Sequence, residues 1–172
     1  MFRVNKPLWS ACALIRKNGD VHVFYVDFDD YELVRSGTWL YHRATRTKTA
    51  YVIASQSTGG DLLHRRLVSA PKGVYVDHIN GNGLDNRRCN LRLCSASQSN
   101  GNTALRKDNK SGFKGVCWYK GAWVASISFN KRQIYLGRFS SREGAHSAYR
   151  EAASRLFKEF ANFGSFPPGG GR

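Results

Sequence analysis

The stretch Val74–Asn102, VYVDHINGNGLDNRRCNLRLCSASQSNGN, decides how the chain is read. It opens on an extended run that ends in Asp77-His78 and passes through a loop too rich in Gly and Asn for helix or strand. An alternating run resumes at Asn90-Leu91-Arg92-Leu93, and a short helix is expected from Ser95. An acid and an imidazole side by side at a strand end, with amide side chains returned to them by the loop, make a small metal site. Hard cations such as Mg²⁺ take oxygen ligands and keep several waters, so one carboxylate plus an amide or hydroxyl oxygen suffices. The neighbouring imidazole, neutral near pH 7, can take a proton from an attacking water.

At these residues the sequence resembles the HNH endonucleases of the phage and intron homing type. Their ββα-metal (His-Me finger) motif runs D-H-I-x-G-N, a loop, N-L-R and then a helix. The resemblance implies that Asp77 is the first metal ligand, that His78 is the general base, and that Asn90, twelve residues after His78, braces the loop. The third family position, usually Asn or His on the helix, falls on Ser99, which departs from the pattern. Either Ser99 supplies a hydroxyl or water-bridged ligand, or Asn100 fills the place through a one-residue shift. One Mg²⁺ or Mn²⁺ per active site is implied. The composite pattern is far more specific than a lone histidine.

Composition agrees with a nucleic-acid partner. The 172 residues hold 27 Lys and Arg against 12 Asp and Glu, a formal charge of +15. Such an excess favours a polyanion, and it grows along the chain, from +3 over residues 1–60 to +5 over 61–110 and +7 over 111–172. With 41% hydrophobic and 13% aromatic residues the chain is a folded one, long enough for one medium domain or two small ones. No run of about 18 apolar residues is present, so no membrane span is expected. The apolar piece Leu8–Ile15 is short, contains Ser10 and meets Arg16-Lys17, which speaks against a secretory signal. Cys12, Cys89, Cys94 and Cys117 contain no C-x-x-C pair and read as free thiols in a cytoplasmic setting.

Residues 1–60 read as a β-rich lead-in, with strands at Val21–Val26, Trp39–His42 and Ala50–Ala54. Asp29, Asp30 and Glu32 are expected in an exposed acidic first helical turn rather than at a second metal site. Asp61–Val68 has helical spacing, and His64 in it is expected to be structural or to contact phosphate. Arg65, Arg66, Arg87, Arg88 and Arg92 bracket the motif on both sides, a placement suited to holding a phosphodiester backbone.

Residues 103–111 form a polar linker. Beyond it come three short runs of strand composition, Gly112–Trp118, Ala122–Asn130 and Gln133–Phe139, and a helix over Ser141–Phe157. A three-stranded antiparallel meander packed on one helix solves that pattern. Phe113-Lys114-Gly115-Val116, Trp118, Trp123, Ala125-Ser126-Ile127, Tyr135-Leu136-Gly137-Arg138-Phe139 and Ala161-Asn162-Phe163 resemble the plant ethylene-response-factor, or Apetala-type, DNA-binding domain over residues 111–163. That resemblance implies that the sheet enters the DNA major groove, which admits a β-ribbon as well as a helix. By family position Lys114, Trp118, Lys120, Trp123, Arg132 and Arg138 are the expected DNA contacts, with core packing an equal reading for Trp123. Alternation sets Val124, Ser126 and Phe129 against Ala125 and Ile127 without saying which set faces outward.

The expectation is an α+β chain. Residues 1–102 form the lead-in and HNH module with its ββα-metal core at 74–102, residues 112–163 form the sheet domain, and 164–172 form a flexible tail. The expected activity is metal-dependent cleavage of double-stranded DNA, by a monomer or a DNA-assembled dimer, as a nick or a double-strand cut. The alternative is a DNA-binding regulator built on a catalytically degenerate HNH scaffold.

Overall fold

The computed structural model describes residues 8–44 and 49–164; apart from Gly164, the expected flexible tail lies outside them. The chain divides into two compact units, Met1–Leu93 and Cys94–Gly169, both mixed α and β.

The first unit opens with a hairpin of β1 (Trp9–Ile15) and β2 (Val21–Asp27), antiparallel, with Ile15 opposite Val21. A 3-10 turn at Phe28–Asp30 leads into α1 (Tyr31–Arg35). A second antiparallel hairpin pairs β3 (Trp39–Arg43) with β4 (Ala50–Ala54), and α2 (Leu63–Leu67) follows. The 3-10 turn at Arg88–Asn90 in the polar loop was not foreseen, nor was the strand β1, made by the apolar piece weighed above as a leader. Period-two burial explains it: Leu14 is buried between exposed Ala13 and Ile15. Phe24, Val26, Val52 and Leu63 are the unit's most deeply buried apolar side chains among the described residues, and Leu14, Val34, Leu67 and Leu91 join them in one cluster. Each such side chain contributes about 1.5–3 kcal/mol by leaving water.

Strand β5 (Tyr75–His78) pairs with β6 (Leu91–Cys94), and the polar loop between them is pinned against the lead-in. Tyr25 of β2 donates its backbone N–H to the Leu84 carbonyl, and its own carbonyl accepts from the Asn86 N–H. Asp30 is not part of an exposed acidic turn. It is 7% exposed and takes two hydrogen bonds from the Arg88 guanidinium, at 2.9 and 2.7 Å. Asp27 accepts from the Arg88 backbone N–H at 2.7 Å. Asp27 and Asp30 therefore fasten β2 and the turn after it to the loop, because a buried carboxylate must be paired, whereas Asp29 and Glu32 stay exposed in first helical turns as expected.

The second unit begins with α3 (Ala96–Gly101). Ser95 and Gln98 form the reciprocal capping box that starts it: the Ser95 hydroxyl accepts from the Gln98 N–H, and the Gln98 side chain accepts from the Ser95 N–H. Three antiparallel strands follow, β7 (Val116–Tyr119), β8 (Ala122–Phe129) and β9 (Arg132–Phe139), in the order β7-β8-β9 with a register shift after Ala125. The helix α4 (Arg142–Phe157) starts at a Ser141 cap and buries Ala145, Tyr149, Ala152, Ala153 and Phe157.

Burial assigns the sheet faces. Ala125 and Ile127 pack into clusters with Ala145 and Tyr149 of α4, so Val124, Ser126 and Ser128 point away from the helix. Phe129, expected beside Val124 and Ser126, has the helix-facing parity and meets Phe157 edge-on at 5.7 Å. Trp118 and Trp123 pair across strands, with ring centroids 5.0 Å apart, and share that helix-facing parity. Trp123 packs on the Val116–Ala125–Ala145 cluster, while Trp118 remains 58% exposed.

Gly83 shows how closely the polar loop lies on β4. A Cβ there would stand 2.2 Å from the Ala50 carbonyl oxygen and 2.7 Å from the Tyr51 ring. Gly83→Ala is expected to cost about 2 kcal/mol or more by overpacking and to lower the melting temperature by roughly 4–8 °C. An unchanged melting temperature would contradict this contact.

Candidate active site

Asp77 and His78 close β5 and are both buried, 8% and 6% exposed. Burial lowers the His78 pKa below its ordinary value; the Asn86 hydrogen bond and the Asp77 and Asp85 charges oppose the shift without reversing it. The ring is therefore neutral at pH 7. Its Nε2 lies 3.4 Å from Asn86 Oδ1. Asn86 is fully buried, and its amide nitrogen donates to the Leu84 carbonyl, which fixes the amide's orientation. The amide oxygen must then be the atom facing His78, so Nε2 carries the proton and Nδ1 is the basic nitrogen.

Asn86 was missed in the sequence, although it stands within D-N-R-R between two named arginines. An asparagine in a glycine-rich loop looks like any turn residue. Only the Tyr25–Asn86 backbone bond and complete burial single it out.

The loop is held by its own amides. Asn90 Nδ2 donates to Asn80 Oδ1 at 3.0 Å and to the Asp85 carbonyl at 2.8 Å, while Asn90 Oδ1 accepts from the Asn80 N–H at 3.0 Å. Asn80 Nδ2 in turn donates to Asp85 Oδ2 at 2.8 Å. Burial works against the Asp85 charge, but two Arg87 hydrogen bonds at 2.7 Å prevail and hold its pKa below the usual carboxylate range.

His64 of α2 meets His78 edge to face, with ring centroids 4.8 Å apart, and Tyr51 lies 5.7 Å from His64 and 6.0 Å from His78. His64 is 4% exposed, and its Nδ1 is buried without a hydrogen-bond partner. Burial first, and then the His78 and Arg65 charges, lower its pKa to about 3. The role expected for it, structural or phosphate-contacting, narrows to a neutral ring packed at the back of the site.

The bracketing arginines are engaged with the protein itself. Arg92 donates from Nε and Nη2 to Asp77 Oδ2, at 2.9 and 2.8 Å. Arg65 holds the carbonyls of Ala70, Pro71 and Val74 at the exit of α2. Arg66 lies 3.8 Å from Asp61 and over the Trp39 ring. Arg87 and Arg88 grip Asp85 and Asp30, and Arg87 also lies over Trp9 and Tyr25. A guanidinium so paired organises the loop first; Arg88, with a side chain 54% exposed, keeps the most solvent-facing surface of the five.

Ser99 and Asn100 lie on α3, within the second unit. Of the expected sheet contacts, Lys120 and Arg132 are exposed, and exposed Arg138 donates to the Lys120 carbonyl at 2.8 Å. The Lys114 ammonium donates to the carbonyls of Gly101, Thr103 and Asn162 at 2.8, 2.5 and 3.0 Å, which uses all three N–H donors.

Among the described residues no three His, Cys, Asp or Glu side chains gather as a metal cluster, and no helix is long and apolar enough to cross a membrane.

The neutral ring of His64 gives stability a pH dependence of known sign. The unfolded chain takes up a proton near the ordinary value of 6.5, and the folded chain resists to about 3. Stability present above pH 6.5 is therefore lost as pH falls through that interval. His64→Phe is expected to show a smaller drop in urea midpoint between pH 7 and pH 5 than the parent chain; an equal or larger drop would contradict the assignment.

Residues 69–100, which hold β5, the loop, β6 and most of α3, match the HNH endonuclease family. Protein 3.8 of Escherichia phage T7 is 46% identical over 65 residues, 37% of this chain and 54% of that protein. The uncharacterized HNH endonuclease L560 of Acanthamoeba polyphaga mimivirus is 29% identical over 143 residues, 80% of this chain and 72% of that protein. The chain thus spans about half the length of the phage relative. No solved structure matches. Asp77 and His78 lie inside the segment that matches the HNH endonuclease family, which supports nuclease chemistry in general.

Proposed function

We propose that the chain is a metal-dependent endonuclease of the HNH homing type that hydrolyses phosphodiester bonds in double-stranded DNA. The observation that carries this reading is the buried His78 beside Asp77 at the end of β5, its pKa lowered by burial and its Nε2 within hydrogen-bond reach of Asn86 Oδ1. Such a group takes a proton from water at neutral pH without first having to lose one.

A single carboxylate next to a neutral imidazole, in a loop of amide oxygens, fits a hard divalent cation that keeps most of its water; Mg²⁺ or Mn²⁺ is the proposed ion. Asp77 would hold it, with Ser99 or Asn100 as the second oxygen by the family pattern. When bound, such an ion supplies positive charge to the phosphate and to the departing 3′ oxygen. Asn90 and Asn86 keep His78 in place by fixing the loop. Arg92 holds the Asp77 carboxylate, and Arg88 is the bracketing arginine best exposed to approach a phosphate.

The outer sheet face, with Arg138, Tyr135, Gln133, Ser128 and Ser126, is the proposed DNA-binding surface, joined at its rim by Lys120, Arg132 and Trp118. One such site cuts one strand per encounter, so a monomer nicks and two copies assembled on DNA cut both strands.

Supercoiled plasmid incubated with Mg²⁺ or Mn²⁺ is expected to be nicked or linearised, and EDTA is expected to abolish this. His78→Ala is expected to bind DNA as the parent does and to lose cleavage. Equal cleavage by His78→Ala would contradict the assignment. Tight binding by the parent chain with no cutting under either metal would favour the alternative, a DNA-binding regulator on a retired HNH scaffold.

A further inference from the structure

The helix α3 is held by the second unit through four separate contacts. The Ser97 hydroxyl accepts from the Asn130 N–H at the β8–β9 turn, at 3.0 Å. Gly101 lies under the Phe157 ring so closely that a Cβ would come within 2.6 Å of it. The Gly101 carbonyl accepts from the Asn162 N–H at 3.2 Å, and again from the Lys114 ammonium.

Lys114 is the junction of these contacts. Its three protons go to the carbonyl of Gly101 at the end of α3, of Thr103 in the following linker, and of Asn162 in the segment after α4. A helix ends with carbonyls that lack intrahelical partners, and a cation there satisfies them and favours the helix dipole. Burial lowers the Lys114 pKa to about 8, so the charged form still prevails at neutral pH. A lysine that reads DNA has to keep its head in solvent to meet phosphate. This one has exchanged solvent for three carbonyls of its own chain.

We infer that Lys114 is a positioning residue of the nuclease: its ammonium anchors α3, the helix that carries Ser99 and Asn100, and does not contact DNA. This rests on the nuclease reading above. It makes the sheet unit a structural support of α3 rather than only a detachable DNA-binding module.

The test uses the full chain with Lys114→Met and, as a second way of loosening the same helix, Gly101→Ala. Amide exchange in the peptide covering residues 94–104 is expected to speed up about tenfold or more in Lys114→Met, while β7, β8 and β9 stay protected. At saturating plasmid the turnover rate is expected to fall by about tenfold or more, and the Mg²⁺ concentration for half-maximal cleavage to rise, as when a group supporting a ligand is removed. The Kd for DNA and its slope against salt are expected to stay as in the parent.

Unchanged exchange in 94–104, together with weaker DNA binding and a shallower salt slope, would overturn the inference and make Lys114 a phosphate contact. Should Lys114→Met not fold, Gly101→Ala carries the same three measurements, and unaltered turnover with accelerated exchange would overturn the link between α3 and cleavage. A parent chain that never cuts DNA would remove the nuclease reading, and the exchange measurement would still decide whether Lys114 anchors α3.

Discussion

The amide group of Asn90 closes the loop between β5 and β6, and the site exists because that closure holds. A dozen residues with few apolar side chains cannot be kept in place by burial, so their polar groups have to satisfy one another. Asn90 bonds Asn80 and the Asp85 backbone, Asn80 bonds Asp85, Arg87 neutralises Asp85, and Tyr25 of β2 clasps the loop through the backbone of Leu84 and Asn86. Removing one member leaves others buried and unpaired, which costs more than the lost bond itself. The same network delivers Asn86 to His78, so fold and chemistry share one set of hydrogen bonds.

The arginines around the motif serve the loop as well as the charge count. Five of them flank the motif, and their density reads as a phosphate-binding surface. In the folded chain they pair with Asp61, Asp77, Asp85 and Asp30 or with backbone carbonyls, because carboxylates placed to shape a loop need cations nearby. The surplus charge lies elsewhere, most of it in the second half of the chain.

Strand and helix positions were legible wherever periodicity was strong. The three strands of the sheet unit and α4 fall within a few residues of the runs of strand composition and the helical segment expected there, and Ser95 and Ser141 cap the helices that follow them. The strand β1 was passed over because its seven residues, WSACALI, alternate too weakly in polarity to declare a face. Asp77, His78 and Asn90 stood out through spacing, whereas Asn86 and the environment of Lys114 depend on contacts 61 or fewer residues apart in sequence that no local pattern encodes. The outward face of β8 was undecidable in sequence because both parities carry small or apolar residues; packing against α4 decided it.

The central claim is that His78 stands neutral at pH 7 with its proton on Nε2 and its lone pair on Nδ1. Long-range proton–nitrogen correlation spectra of the ¹⁵N-labelled full chain read both the charge and the tautomer of each histidine ring directly. A neutral His78 with a protonated Nε2 and an unprotonated Nδ1 is expected at pH 7; an imidazolium, or a proton on Nδ1 with Nε2 bare, would contradict this assignment.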